Sequence, residues 1–539
     1  MRSLTLSLLL LAACDGTIGD GGGGINIEAP SVGEAVLEGG RLRARVWRLT
    51  PQQFEDEARR LLGELPDAGR YPLGESESGL TNIAVRAPVD RPVAQRIAQI
   101  TDDYGTWVTE NAEAVSGCTD RDCAVAYLHG LLESAYRRPA TDVEQDAIAT
   151  LFDSILADHD LPYALGRSVQ AVLISPSMIY RHELGAPFNG RIEGEAPEGG
   201  SISVLGDYEI ASLLSFSLTD RSPDATLLAA AAAGDLRDPQ VRAREARRLM
   251  DDSAGVWQRF FWEWLDMYRF ESSATALDVS DELQAAMLEE YNAFIEDTVV
   301  LQRGSLDDVF ASPRSFASPE LAALYEVDHP GSGLQPITFN PDERAGMLTH
   351  AAWLVAHGSR EEEFVVRRGM GLYLHALCRN LTPPDGLDVN AAQEGLTPED
   401  ATVREKVEAR SNDRVCGACH TVPDPIGLAF ERFDAIGRRR DVYPDGHVVD
   451  SNAQVPGIGS VTSAADLGAA LAESGEVQNC FVRRVAHSML GADLGPQSVW
   501  VNDVTDAFVT ADRSIEGLVV ALVSHPGFVE RAVIAEGDE

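Results

Sequence analysis

Basic residues are in short supply. Lys and Arg total 44 against 85 Asp and Glu, a formal charge of −41 over 539 residues. A phosphate backbone would be repelled by such a surface, so nucleic acid is set aside as a partner. The acid is spread along the chain rather than gathered in a tail, the pattern of a solvated surface. No glycine-rich nucleotide loop, no G-x-S-x-G and no H-E-x-x-H occurs, so those three catalytic signatures are excluded. Strand-like alternation is sparse and helical periodicity recurs throughout, which makes the fold class mainly α, with multi-helical domains and few short strands. The N-terminal apolar stretch, Leu4 to Leu11, is eight residues long, far below the roughly 20 that cross a bilayer. Core-forming residues are not lacking: 44% of the chain is hydrophobic, enough for about three domains at this length.

Cysteine is scarce too, 7 in all, and its placement carries the chemistry. Cys416-Gly417-Ala418-Cys419-His420 has the spacing of covalent c-type haem attachment. Two cysteines on one helical turn can add to the two vinyl groups of a single porphyrin, and the adjacent histidine then lies under the iron as its proximal ligand. With 7 Cys and 11 His, chance supplies the pattern on the order of 0.002 times. Other uses of these residues have less behind them. A thioredoxin-like pair needs a strand just upstream, and none is legible there. A structural zinc site needs a second pair of ligands, and a local disulfide leaves His420 without a role.

Arg2, the apolar stretch and Leu11-Ala12-Ala13-Cys14 read as a lipoprotein signal peptide cleaved before Cys14. Cys14 would then carry the acyl chains that reach the membrane, and Gly21 to Gly24 form a flexible tether. The expected location is the cell envelope, as an extracytoplasmic lipoprotein at the periplasm or cell surface. Cys118, Cys123, Cys378 and Cys480 remain for an oxidising compartment. Four cysteines allow three connectivities; the preferred one pairs Cys118 with Cys123 locally and Cys378 with Cys480 at long range.

Helix signals punctuate the rest. Thr50-Pro51 opens a helix closed by Gly63, Thr141-Asp142-Val143-Glu144 is a capping box, and Gly234 closes another helix. Phe260, Phe261, Trp262, Trp264 and Leu265 form an aromatic stripe with the spacing of helix-packing core. Periodicity predicts helices over 341–357, 362–378, 398–411, 476–490 and 514–524, and a short one over 429–434. Asp445-Gly446 predicts a hairpin spanning Tyr443 to Val449. The stretch 185–203, rich in Gly, Pro and Glu, is the best boundary. The expected division is a leader and tether (1–24), an N-terminal helical domain (25–115), two further helical domains (116–185 and 200–335), a cytochrome-c-like haem-binding domain (340–450) and a C-terminal helical domain (451–539).

These landmarks occur in an order that resembles the planctomycete-type secreted proteins built from several domains of unknown function, one of them cytochrome-c-like. The likeness rests on Arg48-Leu49-Thr50-Pro51-Gln52-Gln53-Phe54, Ala135-Tyr136-Arg137-Arg138-Pro139, Ser175-Pro176-Ser177-Met178-Ile179-Tyr180-Arg181-His182-Glu183, Ala211-Ser212-Leu213-Leu214-Ser215-Phe216, Arg344-Ala345-Gly346-Met347-Leu348-Thr349 and the stretch from Cys416 through Asp424-Pro425-Ile426-Gly427 to Gly437. It implies an exported, haem-bearing protein and no particular reaction. The chain departs from the family at Val485-Ala486-His487-Ser488-Met489-Leu490-Gly491-Ala492, where further aromatics and an arginine are usual.

With haem c bound, His420 is the expected proximal iron ligand, its second ring nitrogen held by a carbonyl of the Val422-Pro423-Asp424-Pro425 turn. Met489 is the preferred distal ligand, 69 residues on, with His487 close beside it and Met347, Met370, His350 and His357 less convenient. The leading function is electron transfer by a lipid-anchored c-type cytochrome, with a redox partner protein that the sequence does not name. The alternatives are a non-enzymatic surface binding module and a haem enzyme of peroxidase type.

Overall fold

The computed structural model describes residues 36–37, 41–72, 80, 90–185, 201–359, 364–381, 396–398, 401–495 and 498–533. The leader, Cys14 and the glycine tether lie outside the described residues. The fold is mainly helical; the strands among the described residues form antiparallel pairs.

One construction occurs twice. The strand Arg45–Arg48 leads through Leu49 into the helix Pro51–Leu62, where Thr50 accepts from Gln53 N–H and Gln53 Oε1 accepts from Thr50 N–H (3.0 Å). This first unit closes with the helix Leu161–Leu173, a turn at Pro176 and the strand Tyr180–Glu183. The second opens with the strand Ser201–Val204, Leu205 and the helix Asp207–Thr219, and closes with the helix Ile515–Ser524, a turn at Pro526 and the strand Glu530–Val533. In each unit the opening strand pairs antiparallel with the closing one. The Leu49 N–H donates to the Ile179 carbonyl and the Leu205 N–H to the Val529 carbonyl, both at 2.9 Å. Arg181 and Arg531 hold equivalent register positions, opposite Trp47 and Ser203.

Two apolar cores follow. One draws on residues from Leu49 to Ile179, with Phe216. The other runs from Leu205 to Val529 and takes in Leu42 and Trp47. Within it Phe260, Phe261 and Trp264 pack against Phe481, centroids 5.1 to 6.1 Å apart, so the aromatic stripe is interior packing. The units meet where Arg45 and Arg531 both donate to Glu183, at 3.1 and 2.7 Å.

The structure pairs Cys118 with Cys123 and Cys378 with Cys480. The first closes a separation of 5 residues, the second one of 102, so chain entropy makes the second more stabilising, at roughly 4 to 5 kcal/mol against roughly 2. Replacing Cys378 and Cys480 by serine is therefore expected to lower the denaturant midpoint more than the same change at Cys118 and Cys123. Equal shifts would contradict the entropic account.

Several predicted elements differ. The helix predicted over 341–357 is reduced to Ala351–Ala356 after a 3₁₀ turn, Met347–Thr349. Gly346 is the cause: its φ of 67° breaks helical geometry, and a Cβ there would lie 2.0 Å from the Phe310 carbonyl oxygen. The short helix expected over 429–434 forms earlier, as Pro423–Leu428. Around Asp445-Gly446 the chain does turn back, with a bridge between Val442 and Val448 and the Tyr443 N–H on the His447 carbonyl. The helix Arg121–Tyr136, capped by Asp120, has no counterpart among the predicted elements, because the polar residues at its start read as a turn.

Candidate functional site

The helix Val403–Asn412 opens on a capping box between Thr402 and Glu405 and ends at Asp413. Asp413 Oδ1 accepts the N–H groups of Val415 (2.8 Å) and Cys416 (2.9 Å), turning the chain into the short helix Gly417–His420. The N–H groups of Cys419 and His420 both reach the Cys416 carbonyl at 3.0 Å, so both cysteines and the histidine share one turn. Gly417 is required there, since a Cβ would lie 2.6 Å from the Ser411 carbonyl oxygen. Both thiols are free; Cys416 is 9% exposed, while Cys419 and His420 are partly open.

His420 Nδ1 lies 2.8 Å from Asp424 Oδ1, and Asp424 is completely buried. The spacing of four residues along a nearly continuous helical path brings the two together. Arg410 Nε and Nη2 both reach the other carboxylate oxygen, Oδ2, at 3.0 Å. The expected backbone carbonyl acceptor is thus replaced by the Asp424 side chain, which the turn at Pro423 aims back at the ring. A carboxylate paired to arginine accepts only, so Nδ1 is the donor, and in the neutral ring Nε2 carries the free lone pair. Among the described residues Nε2 makes no hydrogen bond to protein.

The donor set fits a haem attached through two thioethers. It fits the alternatives less well. Desolvation and the neighbouring Asp413 carboxylate push the Cys416 thiol up from its ordinary value, the opposite of what a thioredoxin-type nucleophile requires. Among the described residues no group of three or more His, Cys, Asp or Glu is placed to hold a metal ion by itself, as a tetrahedral zinc site requires.

The helix Pro423–Leu428 packs along the helix Phe364–His375 through a pair of glycines. A Cβ on Gly369 would lie 1.9 Å from the Pro423 carbonyl oxygen, and one on Gly427 would lie 1.9 Å from that of Val365. The obstacles are backbone, so relief requires moving a helix. Gly427→Ala is expected to destabilise the protein by about 3 kcal/mol in urea unfolding; an unchanged midpoint would mean the helices part without cost. Beyond this contact the buried Arg368 donates to the carbonyls of Phe433 (3.0 Å) and Asp434 (2.6 Å), fixing the chain that leaves the site.

Met489 is 4% exposed near the end of the helix Gly475–Leu490, its carbonyl accepting from Ser217 Oγ at 2.6 Å. That helix packs chiefly against Asp207–Thr219, Ala254–Trp264, Ala464–Glu473 and Val499–Thr510, whereas the Cys-x-x-Cys-His turn packs chiefly against Val403–Asn412 and Pro423–Leu428. The two sets share no member. His350 and His357 are buried, each pulled to about 3 by desolvation, and His487 to about 4. Met370 is half-buried on the helix Phe364–His375, which packs against Pro423–Leu428. The Asp424 carboxylate is not anticipated by the sequence reading, although its spacing of four residues from His420 is a signal that could identify it.

Three stretches match models of domain families found in planctomycete-type multidomain proteins, each described as a protein of unknown function. They are DUF1595 over residues 123–183, DUF1592 over 205–327 and DUF1588 over 344–443. The last contains the whole Arg410–Asp424 site, and none of the descriptions names a cofactor or reaction. Neither the curated proteins nor the solved structures provide a match. No helix among the described residues is long and apolar enough to cross a membrane, and the two disulfides fit an oxidising, extracytoplasmic compartment.

Proposed function

We propose that this chain is a lipid-anchored, extracytoplasmic c-type cytochrome-like protein that transfers electrons through one haem c. Cys416 and Cys419 hold the group covalently, His420 Nε2 is the proximal iron ligand, and acylated Cys14 supplies the membrane contact. The observation that carries the reading is the 2.8 Å contact from His420 Nδ1 to buried Asp424, on the same turn as two free thiols. Haem supplies a one-electron couple when bound. The chain's own part is to orient the ring through Asp424 and Arg410 and to pass electrons to a redox partner protein. Met370, on a helix packed against Pro423–Leu428, and Met489, on a helix that shares no principal neighbour with the turn, would be the candidates for the second iron ligand.

The test is a visible spectrum of protein matured with a haem-attachment system and then denatured. Haem colour is expected to survive denaturation. A colourless chain, from cells that mature a control c-type cytochrome, would overturn the reading in favour of a surface binding protein. Strong carbon monoxide binding by the reduced protein would redirect it toward an open iron and peroxidase-type chemistry.

A further inference from the structure

We propose that Asp424 is a positioning residue that, through His420, biases the bound iron toward its oxidised state. This rests on the haem reading above. A proximal histidine that donates to a carboxylate makes a charge-assisted hydrogen bond, stronger than one to a neutral carbonyl. Such an acceptor draws the proton away from Nδ1 and makes Nε2 a stronger donor. The more positive iron state gains more from that stronger ligand, so oxidised iron is favoured over reduced, even though Arg410 offsets much of the Asp424 charge itself.

Three features of the site suit it to this task rather than to helix support. Asp424 is fully buried, so its field at the ring is little screened by water or salt. Its side-chain partners are the His420 ring and the Arg410 guanidinium; among the described residues its carboxylate accepts from no backbone N–H, the contact a helix-capping role would require. Arg410 grips only Oδ2, which leaves Oδ1 aimed at Nδ1 and holds the carboxylate in place. Asp413 provides an internal comparison. It is equally close to the turn in sequence, but its carboxylate serves the N–H groups of Val415 and Cys416.

The experiment is a spectroelectrochemical titration of full-length, haem-loaded protein with Asp424→Asn, Asp424→Glu and Asp413→Asn variants. In Asp424→Asn the oxidised-to-reduced ratio at a fixed potential is expected to fall at least tenfold, a rise of about 59 mV for a one-electron couple. Asp424→Glu, which keeps the charge, and Asp413→Asn should each stay within threefold of wild type. An unchanged or lowered potential in haem-loaded Asp424→Asn, or an equal rise in Asp413→Asn, would overturn the proposal while leaving the haem reading intact. Absence of haem from the wild-type protein would instead remove the reading beneath it. If Asp424→Asn does not retain haem, Asp424→Ser keeps a smaller neutral acceptor and must show the same upward shift.

Discussion

The Cys416→Ser, Cys419→Ser variant, matured alongside wild type, is expected to lose all covalently held haem and to keep its fold. The two outcomes come from separate features of the turn. Neither sulfur is in a disulfide, and the turn is held by backbone hydrogen bonds to the Cys416 carbonyl and by the Asp413 side chain. Serine is nearly isosteric with cysteine, and only Cys416 is well buried, so the stability change should stay within about 1 kcal/mol. Haem content is read by denaturing electrophoresis and extraction, and the fold by circular dichroism and urea unfolding. Single variants refine the result. Each retains one thioether, and the vinyl group left unsaturated extends the porphyrin conjugation, moving the reduced absorption bands to longer wavelength. A wild type without haem, together with a double variant that unfolds, would show that these cysteines serve the turn and nothing else.

Local chemistry was legible from the sequence where it acts over a few residues. Thr50 with Pro51, the Thr141 and Glu144 box and Gly234 each do what their types suggest. Long-range geometry was not legible. Gly346 looks harmless in a helical period, and only its closeness to the Phe310 carbonyl shows why the helix cannot start before it. The repeated construction is not legible in the sequence because few identities mark it, among them Pro176 with Pro526 and Arg181 with Arg531. Its signature is hydrogen-bond register, which periodicity does not carry. At the candidate site the reverse holds for Asp424. Its spacing from His420 is local and could have been used, but a turn containing two prolines directed attention to carbonyls. The distal side depends on tertiary placement, and there the 69 residues between His420 and Met489 say nothing about proximity.

Glu183→Gln is expected to destabilise the protein by about 3 to 5 kcal/mol, because it leaves buried guanidinium groups without a counter-charge. Glu183 Oε2 accepts from Arg45 Nε at 3.1 Å and from Arg531 Nε and Nη2 at 2.9 and 2.7 Å, all of them buried. Arg181 adds a third buried cation, its guanidinium 3.6 Å from the centre of the Trp47 ring. Glutamine fits the space but cannot neutralise them. The site also joins the closing strands of both units, so its loss should lower the denaturant midpoint without changing the slope. Combining Glu183→Gln with Arg531→Met, which removes one of the stranded charges, should recover part of the loss; strict additivity would argue against the electrostatic cause. The pH dependence follows from the same contacts. Burial alone would push the Glu183 carboxyl up, but the attraction of Arg45, Arg531 and Arg181 outweighs it and holds the group at about 2. A carboxyl depressed in the folded state stabilises fully above its unfolded value near 4.5, and that stabilisation drains away as pH falls toward 2. His350, His357 and His487, kept neutral by burial, begin to cost stability earlier, below their ordinary value of 6.5. Those histidines are common to both proteins. The difference between wild type and Glu183→Gln should therefore be flat above pH 4.5 and narrow below it, and a difference that widened on acidification would place the stabilising charge elsewhere.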